Sequence, residues 1–223
     1  MRSRWIVLAG VLCVAWAVRA GAETPELPLV AEDRFEQGAD RWEPTDADAW
    51  KIVEADQGHV YRQYRQSKYT PPYRSPLNIS LLKEVTVGDF VLTVKVKSTT
   101  RDYPHRDCCL FFDYRDPAHF YYVHLGKVGD PHCNQIMIVN GAPRQLITKK
   151  SSPGTPWDDK WHDVKIVRRA ADGTIEIYFD DMKTPVMTAV DKTFASGRVG
   201  LGSFDDTGDW DDFQLRGVRV DKK

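Results

Sequence analysis

Strand-like alternation recurs along almost the whole chain and constrains its fold more than any other feature. In "DFVLTVKVKS", Phe90, Leu92, Val94 and Val96 alternate with Val91, Thr93, Lys95 and Lys97, the period of an extended chain with one buried face. Comparable segments are "HVYRQY", "CLFFDY", "HFYYVHL", "QIMIVN", "RQLIT", "WHDVKIVR", "TIEIYFD", "PVMTAV", "RVGLGSF" and "DFQLRGVRV". Asp172-Gly173 and Asn140-Gly141 read as tight hairpin turns, because both dipeptides tolerate positive φ. About a dozen such strands without helical periodicity between them predict an all-β sandwich or barrel of antiparallel strands with at most one short helix. The inward phase predicts a core containing Phe90, Leu92, Val94, Val96, Leu110, Phe112, Val123, Ile175, Ile177 and Phe179.

The first residues have the form of an export signal. Arg2 and Arg4 precede an uncharged apolar run from Ile6 to Val18, and Ala20-Gly21-Ala22 is a small-x-small cleavage site. The expected organisation is a signal peptide over 1–22, a Pro-containing lead-in over 23–32, and one domain over 33–220. The apolar run is too short to span a bilayer, and Leu12 before Cys13 does not fit a lipid-anchor site. A secreted or periplasmic location follows. The leader holds three of the 31 basic residues and none of the 32 acidic ones, so the mature chain is mildly acidic. No basic patch points to nucleic acid or an anionic membrane.

Cys108, Cys109 and Cys133 remain after the leader. In an exported chain this odd number predicts one disulfide and one spare thiol. Neighbours on a strand point to opposite faces, so Cys133 is expected to pair with either Cys108 or Cys109. A zinc reading through His105, Cys108, His132 and Cys133 competes with it, but the spacing matches no closed structural zinc pattern. Asn78-Ile79-Ser80 is a glycosylation sequon.

Four of the six histidines lie in "RDYPHRDCCLFFDYRDPAHFYYVHLGKVGDPHC", residues 101–133. Leu110 and Phe112 form the core phase of one strand there, leaving Asp107, Cys109, Phe111 and Asp113 opposite. Tyr121, Val123 and Leu125 form the core phase of the next, leaving Phe120, Tyr122 and His124 opposite. If that second face is open, it sets aromatic rings among donors and acceptors, as a sugar's CH face and hydroxyls require. The expected carbohydrate contacts are Phe120, Tyr122, His124, Phe111, Asp107, Arg106 and Gln135. His105 and His119 read as loop and turn residues, and His162 as structural.

The second half, "WHDVKIVRRAADGTIEIYFDDMKTPVMTAVDKTFASGRVGLGSFDDTGDWDDFQLRGV", resembles the concanavalin A-like lectin/glucanase superfamily, and "RFEQGADRWEPTDADAWKI" resembles the opening of that fold. The "WHDVKIV" and "IEIYFD" hairpin is also distantly similar to 3-keto-disaccharide hydrolase-like domains. The resemblance spans about residues 33–220 and implies a jelly roll of two antiparallel sheets with carbohydrate bound in a concave-sheet groove. This fold also hosts enzymes and adhesion modules, so fold alone does not assign function. Polysaccharide lyases on it use a tyrosine and a histidine, a role that would fall to Tyr122 and His124. Arg101, Arg106, Asn134 or Gln135 would then neutralise the uronate carboxyl. The Glu-x-Asp-x-x-Glu strand of laminarinase-type glycosidases is absent, and no carboxylate pair for retaining hydrolysis stands out. The superfamily's structural calcium would correspond to Asp212 with Asp33 or Glu36, near the acidic stretch "FDDTGDWDDF". The expected partner is an oligo- or polysaccharide, the expected cofactor is none or that single structural Ca²⁺, and an adhesion module remains the alternative to binding or catalysis.

Overall fold

The computed structural model describes residues 26–221 apart from Gln57; the leader and its cleavage site lie outside them. The strands, in chain order, are β1 Leu29–Asp33, β2 Trp42–Pro44, β3 Trp50–Ala55, β4 Gly58–Gln63, β5 Asn78–Leu82, β6 Val87–Ser98, β7 Asp107–Asp116 and β8 His119–Gly126. There follow β9 Gln135–Asn140, β10 Gln145–Leu146, β11 Thr148–Ser151, β12 His162–Arg169, β13 Thr174–Phe179, β14 Met187–Val190, β15 Arg198–Ser203 and β16 Gly208–Arg219. One 3-10 turn, Ala47–Ala49, is capped by the Asp46 carboxylate. No helix among the described residues is long and apolar enough to cross a membrane.

The strands form two antiparallel sheets. The nine-stranded sheet runs β11-β14-β13-β12-β6-β16-β4-β3, with β1 also paired to β16; the seven-stranded sheet runs β10-β9-β8-β7-β15-β5-β2. This is the all-β jelly-roll sandwich expected from the alternation. β1 draws the end of the 23–32 lead-in into the sheet through pairs such as Ala31↔Leu215, so the sandwich begins before residue 33.

All ten residues predicted for the core are buried between the sheets. β6 shows why: its apolar phase faces the other sheet while Thr93, Lys95 and Lys97 face outward. The β12–β13 hairpin closes through Ala170–Gly173, longer than the tight two-residue turn expected, and only Gly173 adopts positive φ. The Asn140-Gly141 turn likewise opens a longer connection to β10, whose Gln145 pairs with Ile138.

A fully buried ion pair ties the sheets together. Arg168 Nε on β12 donates to Asp113 Oδ2 on β7 over 2.9 Å, with both side chains inaccessible to solvent. The Arg168 guanidinium also donates to the carbonyls of Asp191 and Phe194. Asp113 reaches this position through a register irregularity in β7 and a left-handed backbone, φ 46°. Gly197 permits the bend, since a Cβ there would lie 2.1 Å from the Asp113 carbonyl carbon.

Two substitutions test this packing. Phe112→Ala should lower the unfolding free energy by about 3–5 kcal/mol through lost burial and a residual cavity. Asp113→Asn should lower it by roughly 3–5 kcal/mol, because it leaves the Arg168 charge buried without a counter-ion. Urea unfolding of the variants beside the parent measures both.

Candidate functional site

The sequence places Asp107, Cys109, Phe111, Phe120, Tyr122 and His124 on the face of β7 and β8 turned away from the inter-sheet core, and the structure does so too. That face is closed. Phe111, Phe120 and Tyr122 are fully buried, and Asp107 and His124 are 1 % and 3 % exposed. Cys109, Phe111, Phe120 and Tyr122 belong to a second apolar cluster with Ile79, Leu81, Tyr114, Met137 and Val139. The cover is the strandless stretch 64–77 between β4 and β5, together with Phe204. Tyr69 and Tyr73 of that stretch pack on the cluster, and Phe204 stacks on His124 with 5.6 Å between ring centroids. The open groove expected over Tyr122 and His124 is therefore filled by the protein's own chain.

Asn78 fastens this strap. Its Oδ1 accepts from the Ser67 backbone N–H, and its Nδ2 donates to Ser203 Oγ and to the Asp206 carbonyl. Asn78 is wholly buried, so the sequon amide serves the fold and is not presented as a glycan acceptor.

Beneath the strap lies a compact polar cluster. His124 Nε2 is 3.2 Å from Asp107 Oδ2. Cys109 Sγ is 3.8 Å from Asp107 Oδ1, and Cys133 Sγ is 3.9 Å from His124 Nε2. His124 Nδ1 donates to the His132 carbonyl at 2.9 Å. Burial on its own would lower the His124 pKa, but the Asp107 charge and hydrogen bond, aided by Cys133, push it up to about 10. Burial and the neighbouring Asp107 charge hold the Cys109 thiol well above its ordinary range. One ligand atom each from Asp107, Cys109 and His124 lie within 4.8 Å of one another, so these three side chains could hold a metal ion.

The remaining sequence candidates disperse. Gln135 pairs with His124 across β8 and β9, but its side-chain amide donates to the Asp130 carbonyl. Arg106 is buried at an edge, bonded to Ser98, the Asp158 carbonyl and Asp159. Arg101 lies over the Tyr103 ring, and the Asn134 side chain is held by Ser151, Ser152 and Thr155. All three described cysteines are free thiols, in place of the expected disulfide. Cys108 lies in the inter-sheet core, whereas Cys109 and Cys133 flank His124. The other zinc set does not gather either, since His105 instead approaches Asp130 on the surface.

The expected calcium carboxylates have separate partners. Asp33 accepts from the Phe35 N–H and Trp42 Nε1, Glu36 from the His59 N–H with its other oxygen against Nδ1, and Asp212 from Lys95. Glu36 and Asp212 line one groove, but the three do not gather into a ligand cluster among the described residues. The acidic stretch is instead divided between the two outer faces. Asp206 accepts from the Asp107 N–H on the sealed side, while Asp209, Asp211 and Asp212 face a groove on the nine-stranded sheet.

That groove, about 690 Å³, was not anticipated from the sequence. It is lined by Arg34, Glu36, Arg62, Lys95, Lys97, Trp161, Asp209, Asp211 and Asp212, among others. Strand register explains its composition. Lys97 pairs with Asp209, Asp209 with Arg62, and Arg62 with Lys51. Trp161 lies one residue before His162, which pairs with Val96, so a single row of polar and aromatic side chains crosses the sheet. Arg62 makes a bidentate bond to Asp209, both contacts 2.6 Å, and Lys95 meets Asp212 at 2.6 Å. Trp161 is 37 % exposed, unusual for a large aromatic side chain. The outward phase of β6, "VTKK" read at alternate residues, carried part of this signal, but the strands that complete the row are distant in sequence.

No protein-family model and no curated protein matches the chain. Solved structures resemble it in fold. The carbohydrate-binding module CBM66 of Bacillus subtilis is 16% identical with a TM-score of 0.56, covering 79% of this chain and 96% of that one. A galectin-like-fold protein of Bacillus subtilis is 13% identical with a TM-score of 0.55, over 88% and 99%. Domain 4 of AbnA, an extracellular GH43 arabinanase of Geobacillus stearothermophilus seen with arabinotriose, is 12% identical with a TM-score of 0.56, over 88% and 95%. At these identities the likeness establishes the jelly-roll, galectin-like sandwich.

Two predictions follow from the closed face. Tyr122→Ala should destabilise the protein by about 3–5 kcal/mol, as expected for a core aromatic. Tyr122→Phe should leave stability unchanged or raise it, because the buried Tyr122 hydroxyl has no hydrogen-bond partner; thermal unfolding of both variants decides. Thiol titration of the denatured, unreduced protein in chelator should find Cys108, Cys109 and Cys133 all reactive, whereas a Cys133 bridge would leave one of them.

Proposed function

We propose that the protein is an exported jelly-roll domain that binds carbohydrate, and that it does so in the groove on the nine-stranded sheet. The observation carrying this reading is the row Trp161, Lys97, Asp209 and Arg62 across that groove. An exposed indole offers a flat apolar face on which the CH face of a pyranose or furanose ring can stack. The Arg62–Asp209 and Lys95–Asp212 pairs hold donors and acceptors in fixed positions, and charge-assisted hydrogen bonds to hydroxyls are stronger than neutral ones. Six carboxylates against four basic side chains leave the groove net acidic, which suits a neutral glycan better than a polyuronate. Sugar binding by related folds, including the module and the arabinanase domain above, supports this reading.

The lyase alternative is less well supported. It requires Tyr122 and His124 to meet a polysaccharide, and both lie beneath the 64–77 strap.

The test is glycan-array screening followed by calorimetry on the strongest hit. Trp161→Ala should weaken binding by about tenfold or more, as loss of an aromatic anchor does, while leaving the melting temperature nearly unchanged. Lys97→Ala should weaken it less. Absence of any glycan ligand for the parent protein, or full affinity in Trp161→Ala, would overturn the proposal.

A further inference from the structure

We propose that Asp107, Cys109 and His124 form a buried binding site for a tetrahedral divalent transition ion of the zinc class. The donor set is the first argument. Imidazole nitrogen, thiolate sulfur and carboxylate oxygen are the three ligand types that zinc takes from proteins. These come from paired positions on adjacent strands, Cys109 opposite His124, with Asp107 on the same face two residues before Cys109.

Geometry is the second. Donor atoms bound tetrahedrally to one zinc lie about 3.3 Å apart for nitrogen and oxygen and about 3.5 Å apart for oxygen and sulfur, given the usual metal–ligand lengths. Here His124 Nε2 and Asp107 Oδ2 are 3.2 Å apart, and Cys109 Sγ and Asp107 Oδ1 are 3.8 Å apart. The two distances are to different oxygens of one carboxylate, and one atom from each residue lies within 4.8 Å of the others, so a contraction of the cluster would bring the three donors to liganded spacing. The bond from Nδ1 to the His132 carbonyl places a proton on that nitrogen, leaving Nε2 as the ligating atom. An outer partner of this kind orients metal-bound histidines.

Charge is the third. One divalent ion bound by the Asp107 carboxylate, the Cys109 thiolate and the neutral His124 imidazole sums to zero. A buried site of unbalanced charge would be unfavourable. The strap covers the cluster, so loading belongs to folding, before residues 64–77 settle on Asn78.

The experiment uses the full chain produced in minimal medium supplemented with zinc or cobalt and purified without chelator. Elemental analysis should find about one zinc per chain. The cobalt form should show a thiolate-to-cobalt charge-transfer band and the intense visible bands of a tetrahedral ion. Cys109→Ser should lose the charge transfer, whereas Cys108→Ser, which alters the opposite face of β7, should keep it. Should Cys109→Ser fail to fold, zinc-edge X-ray absorption of the parent decides: sulfur in the first shell supports the site, and a shell of nitrogen and oxygen alone overturns it. Metal-free parent protein from both media, or an unchanged cobalt spectrum in folded Cys109→Ser, would also overturn it.

Discussion

Strands β7 and β8 are apolar on both faces, and much of the remaining architecture follows from that. An antiparallel sheet can leave one face to water. These strands cannot, because Phe111, Phe120, Tyr122 and Cys109 lie opposite Leu110, Phe112, Tyr121 and Val123. The first set faces away from the nine-stranded sheet, and its cover is the 64–77 strap, with Tyr69 and Tyr73 supplying the apolar surface and Asn78 supplying the hydrogen bonds. The protein is therefore three layers deep at this point. The polar pair Asp107 and His124 is tolerated in the dry layer because each neutralises the other.

The two outer faces consequently differ in electrostatic character. In the nine-stranded sheet's groove Asp209 is buried against Arg62, but the Lys95–Asp212 pair keeps solvent contact, its side chains 42 % and 36 % exposed. Such pairs add little to stability and remain available to a ligand's hydroxyls. Beneath the strap the same residue types are cut off from water, where a charge without a partner would be strongly unfavourable. A ligand from solution can meet the first face directly; anything held on the second must enter before the strap closes.

How much of this was legible in the sequence depends on what decides each feature. In β6 the outward positions are Asp89, Val91, Thr93, Lys95 and Lys97, polar at all but one, so alternation alone identifies Phe90, Leu92, Val94 and Val96 as core. In β7 and β8 alternation separates the two faces but leaves their exposure open, since an aromatic ring at a given phase has the same spacing beneath a sugar or beneath a strap. The available signal lay elsewhere, in a long strandless stretch carrying Tyr69 and Tyr73 among Pro71, Pro72 and Pro76. The groove escaped notice because Trp161, Lys97, Asp209 and Arg62 meet only through strand pairing. Asp212 with Asp33 or Glu36 read as calcium ligands because spacing does not reveal that Lys95 pairs with Asp212 and Trp42 with Asp33. The disulfide expectation rested on compartment and count, which say nothing of direction; Cys108 points into the inter-sheet core, away from Cys133.

The placement of β16 has a consequence for the order of folding. This strand, Gly208–Arg219, runs through the middle of the nine-stranded sheet, paired to β6 on one side and to β4 and β1 on the other. Until it arrives, β1, β3 and β4 have no neighbour linking them to the rest of their sheet, and the inner aromatics Trp42, Trp50 and Tyr61 lack Phe213 and Trp210. Closure of such sequence-distant pairings is intrinsically slow. A growing chain thus cannot complete this sheet until residue 219 has been made, so the sandwich closes only when nearly the whole sequence is available.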